Sequence, residues 1–374
     1  MFLLAQRNLF HDRIRLAATL AGVSFAVVLV VVELGLYFGF TRSISNLIDN
    51  SGTDLWVTAE SVPYLELGAP FRRAKLYQVK SVPGVADVQE FLHRPALWTR
   101  PDGQQTIIQV VGFNPGFGMG GPWQLAEGSV RDLKIPDGVI IDRNYESKLG
   151  VASIGDVVEI AGHRARVVAF SEGIRSFTTE PYVFASAENA HNFGSIADDR
   201  VQFLLVKIEP SADAQAVQQN IVDRVRGVSV YTTSEFSRMT RYHWTFTTGA
   251  GIAILLAAAL GLVVGFVVVA QTIYATTIDH IKEFGTLKAM GAPNSCVYKV
   301  ILIQATIAAL LGYGAGLLAS LLVVHYAQPA GAPILINGGI VFSTFVVTVL
   351  MCMGAGLVSI NKVTRLDPAI VFKG

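Results

Sequence analysis

Charge is scarce in this sequence: 15% of its residues are Asp, Glu, Lys or Arg, against 52% hydrophobic ones, and the mean hydropathy is +0.47. Soluble globular chains carry about 25% charged residues, so the bilayer has to be part of this protein's solvent. No charged residue occurs between Arg241 and Asp279, and none between Lys299 and Lys362. The first gap fits one membrane-crossing helix, the second two such helices and a short loop. Lys plus Arg number 29 against 28 for Asp plus Glu, which leaves no basic stripe and excludes nucleic acid as a partner. The two cysteines, Cys296 and Cys352, fall beside or inside the apolar runs, so no disulfide scaffold holds the polar part together. The chain also lacks GxSxG, HExxH, an H-x-E with a following C-x-x-C, and a phosphate loop, and no spacing points to a metal site.

Four spans are present instead, over 16–40, 249–273, 300–325 and 339–360, each long enough to cross at about 1.5 Å per residue. The first, LAATLAGVSFAVVLVVVELGLYFGF, is too long for a signal-peptide core, and Phe38 to Arg42 makes a poor cleavage site, so it reads as a retained anchor. The segments 1–15, 274–299 and 361–374 each hold three Lys or Arg residues, whereas the loop 326–338 holds none. The positive-inside rule therefore puts both termini in the cytoplasm and 41–248 outside. Glu33 lies roughly 26 Å along the helix from Leu16, which suits a residue at the outer interface more than an intramembrane ion site. Gly35 with Gly39, Gly261 with Gly265, and Gly312 with Gly316 form GxxxG pairs, which let helix backbones approach closely. In a chain with 35 glycines they do not by themselves argue for a dimer.

The outer region alternates strand-like and helical stretches, so an α+β domain is expected. Asp54 to Thr58 reads as a strand, Phe71 to Lys80 as a helix, and Val85 to Phe91 as a strand after Pro83-Gly84. The pattern recurs later, with Phe203 to Ile208, a helix over Ala212 to Val225 behind Ser211, and Gly227-Val228 leading into Ser229 to Thr232. These two units are expected to pair into one small sandwich, with a β-rich insertion at roughly 96–199 between them. Within it, Arg100-Pro101-Asp102-Gly103 and Gly162-His163 read as hairpin turns. The run Gly116 to Gly121 has neither dinucleotide nor Walker spacing and reads as a flexible surface loop. His93, His163 and His191 fall in separate segments without a clustered acid and read as structural. Ser234 to Thr248 is expected to continue into the second span as one lever.

Between spans two and three runs Lys282-Glu283-Phe284-Gly285-Thr286-Leu287-Lys288-Ala289-Met290-Gly291-Ala292-Pro293. Phe284, Leu287 and Met290 recur every third residue among Lys282, Glu283 and Lys288, so a short amphipathic helix can show one face to a partner; an ordinary interfacial loop is the alternative. EFGTLKAMGAP resembles the cytoplasmic motif of ABC transporter permeases of the MacB/FtsX type. Arg7-Asn8-Leu9 with Arg13 to Leu16, and Arg365-Leu366-Asp367-Pro368-Ala369, resemble the two ends of that family. Ala96-Leu97-Trp98, Val111 to Pro115 and Lys288 to Gly291 are most similar to its DevC branch. Gln304 departs from the pattern, standing where many relatives carry Glu.

The resemblance implies a membrane α-helical protein with a porter-like outer domain in the bacterial inner membrane, working as the permease subunit of an exporter. It implies that Lys282 to Lys288, Met290 and Gly291 dock on a separate ABC ATPase that holds the ATP and Mg, with no cofactor in this chain and no catalysis by it. It further implies a second copy of the chain, a HlyD-like periplasmic adaptor, an outer-membrane channel, and a lipid, glycolipid or other hydrophobic cargo. Two other classes stay open on the residues alone: a membrane-anchored sensor or scaffold, and a secondary transporter.

Overall fold

The computed structural model describes residues 13–178, 180–279, 293–327 and 333–364, together with Thr286 and Met290. It divides into two compact units, 1–39 with 252–374, and 40–251. Helix α1 (Arg13–Ile44) is the first described element. The outer unit then holds β1 (Leu55–Ala59), β2 (Phe71–Arg72), α2 (Lys75–Lys80), β3 (Val85–Thr99), β4 (Gln105–Phe113), β5 (Leu125–Glu127), β6 (Gly138–Asp142), β7 (Val157–Ile160), β8 (His163–Ser171), β9 (Tyr182–Ser186), α3 (Ala187–Phe193), β10 (Arg200–Val201), β11 (Phe203–Ile208), α4 (Ala214–Arg224), β12 (Val228–Thr232) and α5 (Thr233–Tyr242). Among the described residues three long helices follow: α6 (Ala250–Asp279), α7 (Asn294–Ala327) and α8 (Gly338–Thr364).

The two strand–helix–strand units pair into one antiparallel layer in the order β12-β1-β11-β3, the arrangement of a split βαβ, ferredoxin-like fold. Period-two alternation sorts its side chains. Leu55, Val57, Leu204 and Val206 face α2 and α4, packing on Val79, Val82, Val217 and Ile221, while Trp56, Phe203 and Leu205 point the other way into a second core with Phe91 and Phe236. Between Lys207 and Ile208 the register shifts, and the resulting bulge lets Val85 and Val88 share one face. The sequence overstated α2, because Phe71-Arg72 is extended and pairs with β10.

The insertion forms a small closed barrel. Strand β3 continues past Phe91 to pair with β4, and the ring runs β4-β9-β6-β8-β7 before β7 returns to β3 through Trp98↔Ile160 and Thr99↔Glu159. Closure removes the exposed edges an open sheet would present. Trp98, Ile108, Val110, Val139, Ile141, Val158, Ile160, Val167 and Val183 fill the interior, as a barrel this narrow requires. Both expected hairpins are present, β3 with β4 and β7 with β8; the second turns on Ala161 and Gly162, both at positive φ. The Gly-rich run is not a free surface loop. Met119 is 4% exposed in the core, Gly120 N–H donates to the Ser51 carbonyl at 2.8 Å, and a Cβ on Gly120 would sit 2.8 Å from Phe91.

Among the described residues four helical stretches are long and apolar enough to cross a bilayer: Leu16–Ile44, Ala250–Ala275, Tyr298–Ala327 and Gly338–Leu357. Their shared core contains Val23, Ala26, Val27 and Val31 of α1, Val269 and Ile273 of α6, Val300, Ile301, Ala305 and Ala309 of α7, and Met351, Cys352 and Ala355 of α8. Tyr313 Oη donates to the Val341 carbonyl at 2.7 Å and so fastens α7 to α8.

Candidate functional site

Of the coupling residues, Lys282, Glu283, Phe284, Gly285, Leu287, Lys288 and Gly291 lie outside the described residues. Thr286 and Met290 are described: the Met290 N–H donates to the Thr286 carbonyl at 3.0 Å, the i→i−4 spacing of a helical turn, and Met290 is 71% exposed. Each GxxxG glycine meets another part of the same chain. A Cβ on Gly312 would stand 2.5 Å from Val23 Cγ1, and one on Gly316 would stand 2.7 Å from Val27 Cβ and 2.8 Å from the Ser24 carbonyl. Ser24 Oγ donates to the Gly312 carbonyl at 3.0 Å across that contact. Gly261 faces Leu29, Gly265 faces Ala26, Gly35 faces Ile334, and Gly39 faces the Pro333 carbonyl. Gln304 is 7% exposed, with its Nε2 lacking a hydrogen-bond partner.

The lever expected from Ser234 into the second span is interrupted. Helix α5 starts on a capping box, in which Thr232 and Glu235 satisfy each other's backbone N–H groups, a strong helix-start device. It then widens into a π-helical turn over His243–Thr247, closed by the Thr248 N–H donating to the His243 carbonyl at 3.0 Å. Gly249 follows at φ +78°, where a side chain is disfavoured, and the Ala250 N–H donates to Thr248 Oγ1 at 3.3 Å as α6 begins. The helix stops and restarts because Thr248-Gly249 supplies both a left-handed residue and a new cap. π-turns concentrate at functional positions.

That π-turn is held by side chains from distant parts of the outer unit. Trp244 Nε1 donates to Glu66 Oε2 at 2.9 Å. Tyr64 stacks on His243 with ring centres 3.8 Å apart and planes 15° apart. Phe177, between β8 and β9, packs edge-on against Trp244 at 4.7 Å and against Phe40, near the end of α1, at 5.9 Å. Glu66 is half-buried as a residue, but its Oε1 is sealed from water without a hydrogen-bond partner. Burial raises its carboxyl to about 7, against the lowering effect of the Trp244 hydrogen bond.

A second cluster lines a cleft of about 490 Å³ between β3 and α3. Arg73 pairs with Glu90 at 2.7 Å, and His191 Nε2 stands 3.6 Å from the other Glu90 oxygen, while its Nδ1 lies 3.2 Å from the Ile196 carbonyl. His191 therefore does have an acid beside it, contrary to the sequence reading, because the fold brings α3 onto β3. The neighbouring Glu90 carboxylate raises the His191 pKa, with burial opposing. His93 is buried with neither ring nitrogen partnered, and desolvation lowers it to about 4. Among the described residues no three His, Cys, Asp or Glu side chains converge to hold a metal. Sequence gave no signal for either cluster, since Glu66 and Trp244 are 178 positions apart.

Four apolar helices with a large α+β unit inserted after the first define a polytopic membrane protein. Residues 16–224 match the MacB-like periplasmic core domain family and residues 244–368 the FtsX-like permease C-terminal family, so the chain belongs to the MacB/FtsX type of ABC transporter permeases. Its outer unit is accordingly extracytoplasmic, and its helices sit in the inner membrane. An uncharacterized ABC transporter permease of Mycobacterium tuberculosis is 24% identical over 376 residues, covering 100% of both chains. A macrolide export ATP-binding/permease protein MacB of Shewanella is 23% identical over 98% of this chain, but this chain spans 59% of that protein. The periplasmic region of MacB from Actinobacillus actinomycetemcomitans aligns with 52% of this chain and 94% of its own at 9% identity, with a TM-score of 0.38.

Proposed function

We propose that the chain is the membrane subunit of an exporter powered by a separate ABC ATPase, and that it passes on motion without conducting cargo through its own helices. The observation that carries this reading is the closed packing of the bundle. Its core is made of Val, Ala, Ile, Met, Cys and Tyr side chains around α1, and glycine contacts bring α6 and α7 tightly against that helix. Among the described residues the polar side chains buried in this bundle are Thr19, Gln304, Ser320, Thr344 and Thr348, none of them charged, which is a poor lining for a polar solute path. The sequence holds no nucleotide-binding motif, so the energy comes from a partner that docks on Lys282 to Gly291, with both termini and this loop cytoplasmic. Work is then done outside, on a hydrophobic cargo such as a lipid or glycolipid handed to a HlyD-like adaptor, by two copies of the chain.

Affinity purification in mild detergent is expected to bring down a small ABC ATPase and an adaptor. In the reconstituted complex, Glu283→Ala with Leu287→Ala is expected to leave ATP hydrolysis running while export falls at least about tenfold. Unchanged export in that variant would sink the reading.

A further inference from the structure

The π-turn His243–Thr247 is the last helical element of the outer unit before the second membrane helix starts, and the part-buried Trp244–Glu66 hydrogen bond at 2.9 Å ties it to the loop after β1. An isolated carboxylate sealed from water is costly, whereas a protonated carboxyl keeps one oxygen to accept from Trp244 and loses its charge. Here the second oxygen, Oε1, has no hydrogen-bond partner. From β9 the Tyr182 hydroxyl is close enough to Glu66 to be perturbed by it, and next to Trp244 stands the His243 imidazole under Tyr64. No Lys or Arg is among the groups that act on the Glu66 carboxyl. Its ionised form is favoured by the Trp244 indole N–H and by Glu66's own backbone N–H, and burial outweighs both.

We propose that Glu66 is a proton-responsive positioning residue, which holds Trp244 and with it the π-turn against the outer domain when protonated and lets that segment open when ionised. In transport this rests on the coupling reading above, because the segment that opens is the one leading into the second span. A proton on Glu66 would then set how stiffly motion of that span is delivered outside.

The sign follows from burial. The carboxyl is raised from 4.5 to about 7 while the turn is closed, so closure is strongest below pH 4.5 and weakens as pH rises through about 7. Between pH 5.5 and 8.5 those two values give a roughly thirtyfold fall in the closing equilibrium. Hydrogen exchange on the full-length protein in nanodiscs, corrected for intrinsic rates, measures this directly on the amides of residues 243–250. Wild type is expected to lose protection by about that factor across the range, whereas Glu66→Gln, which keeps an acceptor for Trp244 but cannot ionise, is expected to stay flat. In Trp244→Phe the loss is expected to move to higher pH, because the indole that favours the carboxylate is gone. Identical pH profiles in wild type and Glu66→Gln, or an unmoved midpoint in Trp244→Phe, would overturn the proposal. A second readout separates it from the coupling reading: if the exchange result holds but Glu66→Gln leaves the pH profile of ATP-driven export unchanged, the coupling role fails and the latch stands.

Discussion

A methyl group is enough to test the bundle. Gly265 faces Ala26 across the contact between α6 and α1, so a Cβ there has no room, whereas Gly314 on α7 has open space around its own. Gly265→Ala is expected to lower stability by about 1–3 kcal/mol through overpacking, and Gly314→Ala to raise it by about 0.5–1 kcal/mol, the ordinary gain of Ala over Gly inside a helix. Thermal unfolding followed by size-exclusion chromatography in detergent distinguishes the two. His191 gives a second residue-scale expectation. Its pKa is raised in the folded protein by Glu90, so its stabilising effect is complete below about 6.5, the ordinary His value, and fades as pH climbs through the raised value. The outer domain should unfold at a higher temperature at pH 6 than at pH 8.5, and His191→Gln should flatten that part of the difference. Neither Glu90 nor Glu66 could be matched with its partner from the sequence. A buried ion pair or indole contact leaves no periodicity, and the residues meet only after the whole sheet has formed.

At the scale of elements, local pattern and long-range pairing part company. The strands flanking Pro83-Gly84 and Gly227-Val228 were legible because branched apolar residues alternate along them and Gly marks their starts. The second hairpin was legible too, but its turn was read one residue late, at Gly162-His163, whereas Ile160 pairs with His163 and the chain turns on Ala161-Gly162. Closure of the barrel was not, since β7 contributes only a short alternating strip whose partner on β3 lies far back in the chain. The break at Gly249 was missed through the opposite error. An apolar helix after a polar one reads as continuous until the left-handed glycine and the Thr248 cap are weighed together. Trp98 sits at the closing seam, fully buried, with its Nε1 donating to the Leu149 carbonyl at 3.0 Å. Trp98→Ala is expected to cost about 3–5 kcal/mol. Its hydrogen-exchange signature should be faster exchange concentrated in β7 and the second half of β3, with β1 and β12 little changed.

For the molecule as a whole, topology was the most readable property, because charge gaps and apolar runs are imposed by the bilayer and not by tertiary contacts. The four helices and the α+β unit between the first two follow directly from them. The glycine pairs were also visible, but what they approach was not: every one is met by its own chain, so they cannot be counted toward a second copy. The second copy proposed above would need another surface; among the described residues Leu256, Leu260 and Val263 on α6 are exposed.

Strand β3 belongs to both halves of the outer domain, pairing with β11 up to Phe91 and with β4 from Leu92 onward. There is consequently no linker at which the barrel could be cut away, grafted elsewhere or exchanged for a relative's as a cassette. Any swap must splice within a continuous hydrogen-bonded ribbon, at matched positions near Phe91 and Phe203, and must preserve its register on both sides. The ribbon also works as a keel: twist applied to its first half has to appear in its second.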